Sequence, residues 1–134
     1  MIYLLDTNVC VQYLRGRNPS VSDRLQRTPP GDVRLCSVVK AELFFGALRS
    51  AKPEQNRAKV DAFIRPYESL PFDDAAAEIQ AQIRHELETA GTPIGPYDLQ
   101  IAALALAHGH TLVTHNTGEF SRVPGLLIED CETP

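Results

Sequence analysis

Short apolar runs along this chain alternate with longer stretches in which apolar residues recur every three to four positions, a pattern that predicts strands separated by helices. Ile2 to Leu5 is a compact apolar run that stops abruptly at Asp6-Thr7-Asn8, as a buried strand does when it leads into a helix. A helix is predicted over Val9 to Leu14, broken by the segment Gly16 to Pro19, and a second amphipathic helix over Ser20 to Arg27. Pro29-Pro30-Gly31 reads as a turn. Val33 to Cys36 reads as a second strand, with Ser37 as the N-cap of a helix carrying Val39, Leu43, Phe44, Ala47 and Leu48.

Pro53 opens a further helix that runs to about Arg65. Glu68 to Phe72 has the composition of a third strand, which Pro71 either cuts short or confines to a sheet edge. From Asp73 or Asp74 a long helix follows, with Ile79, Ile83 and Leu87 on one face, and Gly91 and Pro93 end it. Pro96 suits the first turn of the next helix, which is apolar on nearly every side from Ile101 to Ala107 and is therefore expected to be buried, with Asp98 at its N-terminus. Thr111 to Thr114 reads as a strand, His115 to Phe120 as a loop or short turn, and Leu126 to Ile128 as a last strand. Alternating strands and helices imply an α/β fold with a mainly parallel sheet, whose right-handed crossovers bring the strand carboxyl ends to one edge. Ligands bind at that edge, and Asp6, Ser37 and Thr114 to Asn116 all follow strands directly.

Length and composition narrow the class further. A chain of 134 residues with 43% apolar residues supports one domain, residues 1–134, with a hydrophobic core. No stretch reaches the ~20 apolar residues of a membrane span, and Met1 to Asp6 contains no basic leader, so a cytoplasmic protein is expected. Three widely spaced cysteines, Cys10, Cys36 and Cys131, fit neither a disulfide framework nor a zinc site and read as reduced core residues. The net charge of −4 gives no overall attraction for nucleic acid. Its distribution is uneven, however: residues 1–65 carry eleven Lys/Arg against six Asp/Glu, and residues 66–134 carry two against eleven. A basic half could meet phosphates while an acidic half holds a cation.

Three acids stand where a solvated charge is not expected. Asp6 ends a buried strand, Glu42 is flanked by Ala41, Leu43, Phe44 and Phe45, and Asp98 precedes a helix with almost no polar face. Carboxylates crowded together in such surroundings repel and take up protons unless a cation neutralises them, and oxygen ligands of this kind suit Mg²⁺ or Mn²⁺. No Lys adjoins any of the three in sequence as a counter-ion.

These residues lie in four blocks: Leu4-Leu5-Asp6-Thr7-Asn8, Ser37-Val38-Val39-Lys40-Ala41-Glu42-Leu43, Gly95-Pro96-Tyr97-Asp98-Leu99-Gln100-Ile101-Ala102, and Leu112-Val113-Thr114-His115-Asn116-Thr117-Gly118-Glu119-Phe120. In this order and spacing they resemble the PIN-domain ribonucleases, and within them the VapC-type toxins of bacterial toxin–antitoxin modules. The resemblance implies a three-layer α/β/α sandwich with a mainly parallel five-stranded sheet, a divalent-metal-dependent endoribonuclease site, homodimerisation and inhibition by a VapB-like antitoxin. It places Asp6, Glu42 and Asp98 at the family's acidic metal-site positions; of these, Asp6 and Asp98 are expected to bind the principal Mg²⁺ or Mn²⁺. Thr7, Asn8 and Ser37 match supporting polar positions. Asn116 stands where many relatives carry an acid, which leaves the fourth acidic place to Glu119 and a supporting role to Asn116 and Thr114.

The expected substrate is a structured RNA such as a tRNA loop, with Arg15, Arg17, Arg24, Arg27, Arg49 and Lys52 on or beside the early helices as candidate phosphate contacts. Tyr13, Phe44 or Phe45 could stack on bases, although core packing is the expected job of the two phenylalanines. The helix Val38 to Leu48 offers an apolar groove to an antitoxin helix. Two other strand-end-acid enzymes or domains fit less well: phosphatases with an Asp nucleophile want a second Asp where Asn8 stands, and receiver domains want a Lys near Thr114 and His115. A catalytically silent RNA-binding or scaffold module with the same fold is the remaining alternative.

Overall fold

The strand that ends at Asp6 lies at the middle of the sheet. In the computed structural model, which describes residues 1–132, β1 (Tyr3–Leu5) pairs on one side with β2 (Val33–Cys36) and on the other with β4 (Thr111–Val113). β3 (Glu68–Leu70) and β5 (Ile128–Glu129) complete the order β3-β2-β1-β4-β5, and every pairing is parallel. β3 is at an edge, as Pro71 requires of its neighbourhood. Leu4 and Leu5 point to opposite faces and both are buried, so helices cover the sheet on both sides.

The helices are α1 (Thr7–Arg15), α2 (Pro19–Arg27), α3 (Ser37–Leu48), α4 (Pro53–Ile64), α5 (Asp74–Thr89), α6 (Pro96–His108) and the four-residue α7 (Thr117–Phe120). α5 packs on α6 and α3 on α4. α6 is the core helix that its composition predicts, with Leu99 and every residue from Ile101 to Ala105 buried. The inner layer also includes Leu4, Leu35, Leu104 and Leu112, none of them exposed, each contributing about 1.5–3 kcal/mol by leaving water. Gly16 and Gly109 close α1 and α6 in the left-handed conformation, at φ 64° and 67°, where a side chain would be strained.

Local chemistry shifted several element ends. α1 begins two residues before Val9 because Asp6 itself is the cap, its carboxylate accepting the Thr7 N–H. The cap of α3 is Cys36, not Ser37. Cys36 keeps the extended backbone of β2, and Ser37 is already helical; its hydroxyl accepts instead from the Phe72 N–H at 3.2 Å, tying the start of α3 to the connection after β3. The last strand forms at Ile128–Glu129, later than Leu126, because Gly125 at φ 79° still turns the chain there. The segment after His115 contains the short helix α7 where a loop or turn was expected. Phe45, expected in the core, is 60% exposed, because it lies on the outer side of α3, and Phe44 is only partly buried, lying under the Arg57 guanidinium at 3.9 Å from the ring centre.

Candidate active site

The strand order reverses between β1 and β4: successive strands run outward from β1 to β3, and the chain then returns to the other side of β1. A crevice opens beyond the carboxyl ends of such a strand pair. Asp6 follows β1 and Thr114 follows β4, and both are buried there. The Thr114 hydroxyl donates to Asp6 Oδ2 at 2.8 Å, while Asp6 Oδ1 accepts the Thr7 N–H at 2.8 Å. Thr114 Oγ1 also accepts the Asn116 N–H at 3.0 Å, so one buried hydroxyl orients the acid and shapes the loop into α7.

From that loop the Asn116 side-chain amide donates to Glu119 Oε2 at 2.6 Å. This bond, followed by proximity to Asp98, holds the Glu119 carboxyl below its ordinary pKa. Asp98, in the first turn of α6, has the opposite fate. Burial first, then the neighbouring Glu119 carboxyl and the charges of Asp6 and Glu42, push it up to about 7. Burial also raises Asp6 against the hydrogen bonds from Thr114 and Thr7, with Glu119 adding to the rise. Glu42, on α3, is raised by burial and by Asp6, and the Thr7 hydroxyl partly offsets this. That hydroxyl is buried beside Glu42 without completing a well-formed hydrogen bond.

Asp6, Glu42, Asp98 and Glu119 therefore share one electrostatic neighbourhood, although they come from the ends of β1, from α3, α6 and α7. Among the described residues, no Lys or Arg forms an ion pair with any of the four; Arg122 acts on Glu119 only through space. All the donors are hard oxygens, and the Thr7 hydroxyl is orphaned among them, which suits a small divalent cation. Among the described residues no three acids, histidines or cysteines are spaced to enclose an ion alone. Mg²⁺ is compatible with that spacing, because it keeps several waters and takes one or two carboxylates.

The other candidates are distributed differently. Asn8 is exposed on α1, and its side chain makes no hydrogen bond among the described residues. Ser37 lines a groove of about 1220 Å³ between α1, α3 and α4 that opens onto Thr7 and Glu42. Arg15, Arg17 and Arg49 also line it, whereas Arg24 is engaged by Glu129 at 2.8 Å and Arg27 by Asp23 at 3.0 Å, so these two do not face it. Lys52 is exposed outside the lining. His115 turns its Nδ1 to Asp130 at 3.1 Å, joining the loop to the chain after β5. Cys10, Cys36 and Cys131 are buried free thiols, and burial holds Cys36 at about 11, so none is poised as a nucleophile.

Tyr97 and Gln100, which flank Asp98 in the third sequence block without an assigned role, also line the groove, as does Lys59. A signal existed for Lys59: Asn56, Lys59 and Val60 share one face of α4 at helical spacing.

Residues 3–126 match the family model described as the PIN domain. Over 128 residues the chain is 41% identical to the tRNA(fMet)-specific endonuclease VapC of Shigella flexneri, with 96% of each chain covered. It is 39% identical over 131 residues to Ribonuclease VapC2 of Rickettsia felis, covering 97% of this chain and 98% of that one. Among solved structures, the DNA-bound VapBC of Salmonella typhimurium superposes with a TM-score of 0.91 at 39% identity, covering 97% of this chain and 98% of that one. With the family's four blocks in place, its fold reproduced and these relatives aligned end to end, the chain belongs to the PIN-domain family and, within it, to the VapC ribonucleases.

Proposed function

We propose that this chain is a divalent-metal-dependent endoribonuclease, the toxin of a type II toxin–antitoxin pair, and that its substrate is a structured RNA such as a tRNA. The observation that carries the metal-dependent site is the gathering of four carboxyls at the β1/β4 crevice with no cationic side chain bonded to them among the described residues. Uncompensated, such a cluster costs stability, so its persistence argues for a ligand that supplies positive charge. Support for the substrate class comes from the similarity to a relative named for cleaving initiator tRNA.

In this reading Asp6 and Asp98 hold the principal Mg²⁺ or Mn²⁺, and Glu42 and Glu119 complete the site through water or a second, weaker ion. The bound cation lowers the pKa of water and neutralises charge developing on the phosphate oxygens. The chain's own groups do the positioning. Thr114 and the Thr7 N–H fix both oxygens of Asp6, Asn116 holds the Glu119 carboxyl below its ordinary pKa, and the proton that burial keeps on Asp98 would leave when positive charge arrives. The Thr7 hydroxyl, without a partner of its own, can donate to water or to a phosphate oxygen. Ser37 and Asn8 support the rim of the site.

The protein partner in this proposal is a VapB-like antitoxin, consistent with alignment to solved VapBC complexes over nearly the whole chain. The exposed face of α3, where Phe45 (60% exposed) lines the groove beside α1 and α4 and Leu48 is 70% exposed, offers it an apolar seat, and an antitoxin arginine reaching the carboxyls would neutralise them. A homodimer belongs to the same reading. No helix among the described residues is long and apolar enough to cross a membrane.

The test is degradation of a mixed RNA pool by the full chain with Mg²⁺ or Mn²⁺. Cleavage that stops with chelator, and that is lost in Asp6→Asn with the fold verified, is the expected result. An RNA pool left intact under both metals would reduce the protein to a binding module.

A further inference from the structure

The groove between α1, α3 and α4 has a distinctive charge arrangement. Its rim carries Arg15, Arg17, Arg49 and Lys59, and among the described residues none of these has a carboxylate partner. Of the arginines elsewhere, Arg24, Arg27, Arg34, Arg57 and Arg84 each hold an acid within 3.2 Å, whereas Arg65 is exposed without an ion pair among the described residues and Arg122 donates to the Pro93 carbonyl. Within the lining the one carboxylate is Glu42, at the end where the groove meets the acidic crevice.

Helix geometry places the two arginines that end α1 and α3 at the far end of the groove from the crevice. α1 and α3 both start at the carboxyl edge of the sheet and run away from it, so Arg15 lies about 12 Å of helix beyond Thr7, and Arg49 about 10 Å beyond Glu42. Arg15 ends α1 and Arg49 follows α3, where helix dipoles favour positive charge. At the crevice end stands Tyr97, 60% exposed and next in sequence to Asp98. Between the two ends the floor is apolar, formed by Val11, Leu14, Val60 and their neighbours.

We propose that this groove is the track for the single-stranded RNA segment that flanks the scissile phosphate, with the four cations on backbone phosphates away from the crevice and Tyr97 stacked on a base beside Asp98. The proposal deepens the nuclease reading and rests on it for the position of the scissile bond. Such a track answers a physical need. The chain has a net charge of −4 and an acidic site, both of which repel a polyanion, so attraction has to be local. A cation-lined groove with an apolar floor and an exposed aromatic ring suits a strand whose bases are unpaired, since a duplex keeps its base faces stacked inside.

The experiment uses the full chain and a labelled single-stranded oligoribonucleotide, with binding followed by anisotropy in EDTA over a salt series and cleavage measured separately with Mn²⁺. Four phosphate contacts give a slope of log affinity against log salt of about −2.8, and each of Arg15→Gln, Arg49→Gln and Lys59→Gln should remove about 0.7 of it. In cleavage the same variants should raise KM several-fold and leave the main loss out of kcat. Arg65→Gln, at the exposed end of α4 outside the lining, is the control and should keep the wild-type slope. Tyr97→Ala should weaken binding on the order of tenfold, and Tyr97→Phe should restore it.

Wild-type slopes and KM values in the groove variants would overturn the proposal. So would duplex RNA binding as tightly as the single strand, or variants that lose only the response to an acidic peptide partner. Groove-dependent binding without any cleavage by the wild type would instead refute the nuclease reading and leave the track standing.

Discussion

The Thr114 hydroxyl and the Asp6 carboxylate, 108 residues apart in sequence, meet at 2.8 Å across the point where the strand order reverses. That bond joins the two halves of the sheet at the crevice and orients the acid most deeply buried in the site. Thr114 is itself fully buried and also holds the Asn116 N–H, so its removal leaves two groups without a partner. Thr114→Val is expected to cost about 1–3 kcal/mol in urea denaturation and to lower RNA cleavage about tenfold to a hundredfold. Thr114→Ser, which keeps the hydroxyl, should recover most of both. Unchanged cleavage in the valine variant would remove the bond from the account.

The raised pKa of Asp98 makes the metal-free protein sensitive to pH. Its carboxyl titrates at about 7 in the fold against an ordinary value of 3.8. Below about pH 4 it is protonated whether folded or unfolded. Between about 4 and 7 the folded state keeps a proton that the unfolded chain releases, so stability present at the acid end is lost as pH rises to the folded value. Denaturation in EDTA should therefore show the wild type losing stability between about pH 4 and pH 7 more steeply than Asp98→Asn. Equal slopes in the two proteins would contradict the assignment. Mg²⁺ should bind more tightly at the higher pH, with release of a proton.

Asn116 acts on the site through Glu119. Its amide is the first cause of the low Glu119 pKa, and Asn116→Ala should let that pKa rise. The expected outcome is a requirement for roughly tenfold more Mg²⁺ at half-maximal cleavage, with the acid limb of the pH profile moved upward. A general loss of stability without change in the metal requirement would assign the residue a purely structural role.

The three buried thiols should be silent. Cys10 and Cys36 are fully buried and Cys131 is nearly so, and burial raises the pKa of each. A thiol reagent should leave the native protein unlabelled and fully active, and all three should react once the chain is unfolded. Rapid native labelling of Cys36, the buried residue that caps α3, would show that the core beneath α3 is open to solvent.

Much of this architecture is legible in the sequence because local chemistry and burial point the same way. The run Ile2 to Leu5 ending in Asp6, the apolar helix after Pro96 and the proline after β3 each specify an element, a depth or an edge. The acids were visible as charges in the wrong surroundings, and the parallel-sheet rule brings Asp6 and Thr114 to one crevice without coordinates. Helix caps and partner choice were less accessible. Ser37 has the composition of a cap, but the extended backbone of β2 runs through Cys36, and the serine hydroxyl serves Phe72 instead. Arg24 and Arg27 look like phosphate contacts until α2 turns them towards Glu129 and Asp23. Tyr97 and Lys59 become conspicuous only when α3, α4 and α6 are set beside one another, because a groove belongs to packing and has no local pattern.

The central claim is that the carboxyls at the β1/β4 crevice take up a small divalent cation. Anomalous diffraction from crystals of the full chain grown with Mn²⁺ tests it most directly. The expected result is a peak in contact with Asp6 and Asp98, within water-mediated reach of Glu42 and Glu119, and absent from Asp6→Asn crystals. Manganese bound elsewhere with the crevice left empty, or carboxyls that diverge when the metal is present, would contradict the account.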